Sequence, residues 1–234
     1  MNERVVVIWS GGADSTLALC EAVSQARRHE TITAISVTVH SNITLLQLQE
    51  QNARMDKFLA WAKKRDWKID HRKVRIDHTC IDLPSSQGTL WLCSVAPYLP
   101  DHARIWMGYI RRDDFWHEKA EHVAAAEALA KLSDRKWKIE FPLEWSEKWE
   151  VLRALKKWKV PDSLWWTCES PVKKSDRIKA CRQCLKCREV AAARALWKEK
   201  EKEFSKMHLG KKLKDPAPKM ARSVELKDME RMKA

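Results

Sequence analysis

The 234-residue chain predicts an α/β fold: a parallel sheet with helices on both faces, and a small C-terminal helical appendage built to hold zinc. Three observations predict it. Short β-branched runs alternate with amphipathic segments at the spacing of strand–helix–strand units, which argues a parallel sheet. The first run ends on Ser10-Gly11-Gly12 and passes directly into a helical pattern. Four of the seven cysteines, Cys168, Cys181, Cys184 and Cys187, stand together near the end of the chain.

The elements follow in order. Residues 5–9 (VVVIW) have the length and branching of a buried strand, and residues 16–27 read as a helix. Residues 31–39 (TITAISVTV) form a second strand, and 45–65 a long amphipathic helix with Leu48, Ala53, Phe58 and Trp61 among its apolar positions. A weaker strand covers 69–76. Residues 89–98 look helical, and 104–108 (RIWMG) form a short strand ending on a glycine. An Ala-rich helix covers 120–132, a further strand 136–141 closes at Pro142, and a helix over 146–158 begins with Ser146 as a plain N-cap. The expected organisation is an α/β domain over 1–160, a zinc-binding subdomain over 161–200 and a basic, partly disordered tail over 201–234. From Lys198 onward the chain carries 12 Lys and Arg against 7 Asp and Glu, begins as a charged helix, and is expected to fray after Gly210.

Composition bounds the function. The formal net charge is +13, which suits either a solvated surface or a polyanionic partner such as nucleic acid or nucleotide. No run approaches the ~18 apolar residues of a membrane span, and the five apolar residues before Ser10 are too few for a signal-peptide core. A soluble, cytoplasmic protein without membrane contact is expected. Its cysteines then read as metal ligands or inert thiols.

A strand ending in Ser-Gly-Gly at a helix start presents backbone N–H groups and the positive end of the helix dipole, which suits phosphate. Ser10, Ser15 and Thr16 can add hydroxyl groups, so Ser10, Gly11, Gly12, Asp14, Ser15 and Thr16 form the expected nucleotide cradle. The Walker pattern, with its lysine after the glycines, is absent. Asp14 either meets a magnesium ion at the phosphates or caps the helix. The spacing Cys168-x12-Cys181-x2-Cys184-x2-Cys187 supplies the four thiolates of a closed structural zinc site.

The word S-G-G-A-D-S resembles the pyrophosphate loop (PP-loop) of the ATP pyrophosphatase superfamily, whose fold is adenine nucleotide alpha hydrolase-like. The loop together with the cysteine cluster resembles the 7-cyano-7-deazaguanine synthase family over about residues 4–197. "FPLEWSEKWEVLRAL" (141–155) looks like its P-L-x-x-x-x-K-x-E segment, with Lys148 and Glu150 at the lysine and the acid. "WMGYIRRDDF" (106–115) looks like its G-x-x-x-x-D segment, with Gly108 and Asp113 matching. "WWTCES" and "CRQCLKCREV" look like the two halves of its zinc site, and Arg188 flanks the metal. The base-binding region diverges: Ser85-Ser86-Gln87-Gly88-Thr89 replaces P-G-R-N, and Trp116-His117-Glu118-Lys119 replaces S-G-Y-P-D-C-R.

The resemblance implies an ATP-dependent carbon–nitrogen ligase. It converts 7-carboxy-7-deazaguanine and ammonia to 7-cyano-7-deazaguanine through an acyl-adenylate and an amide, as in queuosine biosynthesis. It also implies ATP with magnesium, structural zinc and a homodimer. Asp14 falls near the magnesium, Lys148 contacts phosphate or the adenylate oxygen unless it is a surface lysine, and Asp113, with Asp114 as its competitor, meets the metal or the base. The second strand's end, 37–40, lies near the adenine. The same loop suits a related ligase that adenylates a carboxylate or base for transfer to a macromolecular amine or to tRNA or DNA; the basic surface would serve such a partner. His117 and His122 are expected at the surface, His40 faces the ligand edge, and Cys20, Cys80 and Cys93 are core or surface thiols.

Overall fold

The computed structural model describes residues 4–27, 30–39, 44–76, 87–113 and 116–207. His40, Cys80, Ser85, Ser86, Asp114 and the chain beyond Gly210 lie outside them. The chain divides into two compact units, Met1–Trp197 and Lys198–Ala234. In the described part of the second, Lys200 pairs with Glu203 along one face of helix at 3.0 Å.

Five strands of the first unit, β1 (Arg4–Ile8), β2 (Ile32–Val39), β3 (Ile69–Ile76), β4 (His102–Met107) and β5 (Lys136–Glu140), form one sheet in the order β3-β2-β1-β4-β5. Every pairing is parallel, with Ile8 beside both Ile35 and Met107. The central strand β1 is apolar on both faces because both are covered. The edge strands are charged instead: β3 carries Arg72, Lys73 and Arg75, and β5 Lys136 and Lys138.

The connecting helices are α1 (Ala13–Gln25), α2 (Leu45–Lys63), α3 (Gln87–Val95), α4 (Lys119–Leu132) and α5 (Lys148–Lys157), followed by α6 (Leu185–Met207). One face of the sheet packs against α1, α2 and α5 around Trp9, Leu19, Phe58 and Leu155. The opposite face packs against α3 and α4 around Leu92, Val95, Ile105 and Met107. Strand order reverses between β1 and β4, so a crevice opens at their carboxyl ends, where open α/β sheets bind ligands.

Several boundaries differ from the sequence expectation. Helix α1 begins at Ala13 instead of residue 16, with Gly12 at the N-cap, because the glycine turn itself nucleates the first turn. Asp14 therefore lies inside that turn and does not cap it. The segment 89–98 is α3 plus a single 3-10 turn, Ala96–Tyr98. Helix α5 is capped at Glu147, not Ser146: the Glu147 amide donates to the Glu150 carboxylate at 2.8 Å. A small antiparallel hairpin, β6 (Val172–Lys174) and β7 (Arg177–Lys179), was not expected and stands between Cys168 and Cys181.

His122 is a correction too. It is fully buried, and burial lowers its pKa, whereas its sequence position predicted the surface. It sits under Gly88, where a Cβ would lie 2.4 Å from its Nε2. His117 is exposed, as expected. Cys20 is buried in the core and Cys93 exposed. Among the described residues no helix is long and apolar enough to cross a membrane.

Candidate functional site

The crevice at the switch point is walled by the ends of β1, β2 and β4, the start of α1, and residues of α2, α3, α5 and α6. Its floor is the glycine turn. Gly11 adopts φ +75, a conformation glycine reaches without steric cost, and its carbonyl accepts the Trp166 amide at 2.9 Å. The Ser10 carbonyl accepts from Gln51 on α2. The Ser10 and Ser15 hydroxyls meet at 2.9 Å, and the Ser10 amide donates to Ser15 Oγ at 3.2 Å. Both ends of the turn are thereby fixed. Gly12 supplies no side-chain cap, which leaves the opening turn of α1 as an anion-facing helix start.

Asp14 stands at that start and forms an ion pair with Lys148 of α5. Both side chains are largely enclosed, at 15% and 17% exposure. Burial raises the Asp14 pKa, and the Lys148 ammonium opposes that rise. The second carboxylate oxygen, Oδ1, is buried without a hydrogen-bond partner. A buried acceptor left unsatisfied is costly, so this oxygen is suited to a cation or donor that arrives with the ligand.

A second pair lines the same crevice. Asp113, after β4, meets Lys186 of α6 at 3.2 Å, and Lys186 also reaches Glu189 at 3.5 Å. Glu169 and Thr167 line the wall beside them, and Val37, Thr38 and Val39 form the rim at the end of β2. The expected adenine edge is therefore at the crevice as far as Val39.

The structure thus brings Ser10, Gly12, Asp14, Ser15, Asp113 and Lys148 together in one pocket. Gly11 shapes the turn beneath it. Thr16 is not brought there: its hydroxyl is fully buried and accepts the Trp9 indole N–H at 3.1 Å, on the core side of α1. Lys148 is no surface lysine.

Sequence reasoning missed Gln51, Trp91, Trp166, Glu169 and Lys186. The last three had a signal, since they sit within two residues of the clustered cysteines. The indole Nε1 of Trp91 is buried without a partner on the crevice wall.

Behind the wall stand the four cysteines. Their sulfurs lie within 4.8 Å of one another, an arrangement able to hold a metal ion. Cys168 Sγ is 3.6 Å from Cys181 Sγ and 4.0 Å from Cys184 Sγ. Backbone N–H groups of Cys184 and Gln183 point at Cys181 Sγ and pull its thiol down to about 6. The segment before Cys168 is held to α2 by Arg54, which donates to the Trp165 carbonyl at 3.0 Å and lies over the Trp166 ring.

No curated protein matches the chain. A universal stress protein family member from Burkholderia pseudomallei aligns at 13% identity over 59% of this chain and 95% of its own, with a TM-score of 0.36. The U34-tRNA thiolase NcsA from Methanococcus maripaludis, solved with its [4Fe-4S] cluster, aligns at 14% identity over 95% of this chain and 79% of its own, with a TM-score of 0.45. The sequence model of the family described as queuosine biosynthesis protein QueC matches residues 99–197, a stretch that contains Gly108, Asp113, Lys148 and all four clustered cysteines. Across residues 99–197 the chain is similar to that family, and the resemblance carried by its motifs holds there.

Proposed function

We propose that the protein uses two molecules of ATP to convert 7-carboxy-7-deazaguanine and ammonia into 7-cyano-7-deazaguanine. The observation that carries the reading is the Asp14–Lys148 pair set at the Ser10-Gly11-Gly12 turn, inside the crevice that also holds Asp113. A carboxylate at a phosphate-binding helix start repels its ligand unless a cation stands between them. Asp14, with its open Oδ1, would hold that magnesium ion, whose chemistry is to neutralise phosphate charge. Lys148 would leave Asp14 to meet the phosphates or the adenylate oxygen, where positive charge stabilises the transition state.

In the first half-reaction the substrate carboxylate attacks the α-phosphorus and pyrophosphate leaves. Ammonia then attacks the acyl carbon and AMP leaves, giving the amide. The second ATP adenylates the amide oxygen, and loss of AMP and a proton leaves the nitrile. Asp113, paired with Lys186 in the same crevice, would meet the metal or the base.

Zinc is the ion assigned here to the four cysteines, whose thiolates match its ligand preference. Four sulfurs at 2.3 Å from a tetrahedral zinc stand about 3.8 Å apart. Three of the separations, 3.6, 4.0 and 4.0 Å, lie near that value and all of them are within 4.8 Å, which supports this reading.

The test is incubation with ATP, magnesium, ammonium and 7-carboxy-7-deazaguanine, followed by mass spectrometry. The expected result is the nitrile with AMP and pyrophosphate in two-to-one ratio to it. Bound ATP without amide or nitrile would overturn the substrate assignment.

A further inference from the structure

The hairpin β6–β7 has no part in the crevice, yet its composition is unusual for an exposed element. Residues 172–182 hold five cations, Lys173, Lys174, Arg177, Lys179 and Arg182, against the single carboxylate of Asp176. All five are exposed, and among the described residues none of them forms an ion pair.

The register makes this costly. Lys174 lies directly opposite Arg177, and Val172 opposite Lys179, so one face of the ribbon carries three of the cations. Like charges directly opposite each other destabilise a strand pair, and a lone two-stranded ribbon is marginal even without that repulsion. What closes this ribbon is the cysteine cluster, since Cys168 and Cys181 bracket it and their sulfurs are 3.6 Å apart. A charge arrangement that opposes the local fold, and is met by no carboxylate in it, calls for an external polyanion.

Geometry favours a nucleic acid. On one face of a strand, Arg177 and Lys179 are spaced about 6.8 Å apart. A nucleic-acid strand carries one charge at every ~3.4 Å of duplex axis, so a repeating phosphate backbone offers an anion within reach of each of these cations. Glu169 and Lys186, which flank the hairpin in sequence, both line the crevice, whereas no residue of the ribbon does. We infer that the β6–β7 hairpin is a docking element for the phosphate backbone of a nucleic acid, held in place by the four-cysteine site. This inference is independent of which small molecule the crevice accepts.

The experiment uses the full chain and a fluorescein-labelled tRNA transcript, with affinity measured by anisotropy between 50 and 300 mM salt. The comparison protein carries Lys173→Gln, Lys174→Gln, Arg177→Gln and Lys179→Gln together. These side chains are exposed and outside the crevice, and unchanged metal content and thermal midpoint establish that the fold is kept. Loss of the three phosphate contacts made by the Lys174, Arg177 and Lys179 face is expected to reduce the slope of log affinity against log salt by about 2, and affinity at 100 mM salt by at least about tenfold. A companion variant with the three lysines replaced by arginine should bind as the parent does. Unchanged affinity and slope in the glutamine variant would overturn the inference, as would no binding of the parent at 50 mM salt. Displacement of the tRNA by poly-glutamate of equal charge would overturn it too, because any polyanion would then suffice.

Discussion

Gly108, just past the end of β4, packs so closely on the start of α1 that a Cβ there would stand 2.7 Å from the amide nitrogen of Ser15. The neighbours it would meet are backbone atoms, which cannot turn aside as a flexible side chain would. The first turn of α1, and with it the anion-facing amides, is therefore positioned by the absence of a side chain on the neighbouring strand. Gly108→Ala is expected to destabilise the protein by about 1–3 kcal/mol through overpacking. It should weaken ATP binding more than its effect on stability implies. Denaturant unfolding and ATP titration of the same variant check both parts, and an intact ATP affinity would show that the turn tolerates the shift.

Lys148 and Asp14 are 134 positions apart in sequence and form one charged unit. Removing the ammonium leaves a buried carboxylate already disposed to hold its proton. In Lys148→Met the Asp14 pKa should rise further, since the opposing charge is gone. A carboxyl whose folded pKa exceeds its unfolded value stabilises the fold at low pH and loses that contribution as pH climbs through the folded value. The variant should therefore lose this contribution at a higher pH than the parent, which urea unfolding across pH would reveal. Its turnover should fall roughly 100-fold to 1,000-fold, the usual effect of deleting one charge-stabilising group. Turnover close to that of the parent would remove Lys148 from the chemistry.

The parallel sheet and the cradle were legible because their signals are local. A buried strand repeats β-branched residues, and Gly11-Gly12 at a strand end has few structural uses other than close backbone approach. The four-cysteine spacing was legible for a similar reason, thiolates at that interval being strongly constrained. What could not be read depended on contacts between distant segments. The Lys148–Asp14 pair joins α5 to α1, and Lys186 reaches Asp113 from another helix. The inward rotation of Thr16 followed from where α1 begins, which the periodicity placed three residues late. His122 looked like a surface residue among alanines, but the small Gly88 on α3 opens the space that buries it. The thirteen tryptophans also gain a partial account: Trp67 meets Trp61 and Trp158 edge to face behind Trp9 and Phe58, filling one face of the sheet with rings.

His71 gives a pH dependence independent of the crevice. Burial between β2 and the Trp9 ring, helped by the nearby Lys73 charge, lowers its pKa to about 4. Its Nε2 is 2.9 Å from the Ser36 hydroxyl. Unfolded histidine titrates near ~6.5, so between that value and about 4 the unfolded chain holds more protons than the folded one. Stability from this group is complete above the unfolded pKa and is lost as pH falls through that window. Urea midpoints at pH 7.5, 6, 5 and 4 should decline, and His71→Gln should flatten the decline while lowering the midpoint at pH 7.5. A variant with the parent's full pH slope would place the acid sensitivity elsewhere.

Metal removal tests the cysteine site and its tie to the crevice. The chain as purified should contain one equivalent of zinc by elemental analysis. Stripping that metal under denaturing conditions, or replacing Cys184 with Ser, leaves the short hairpin without its closure and Cys168 without its partners. Structural zinc in small sites contributes folding energy directly, so thermal stability should fall in both preparations. The loss should also reach ATP binding, because Trp166, Glu169 and Lys186 line the crevice from segments anchored at Cys168, Cys184 and Cys187. Zinc returned to the stripped parent should restore both properties, whereas Cys184→Ser should recover neither. If the stripped parent keeps its ATP affinity, the crevice is held by the sheet and α1 alone, and the cysteine site stabilises only the hairpin and the start of α6.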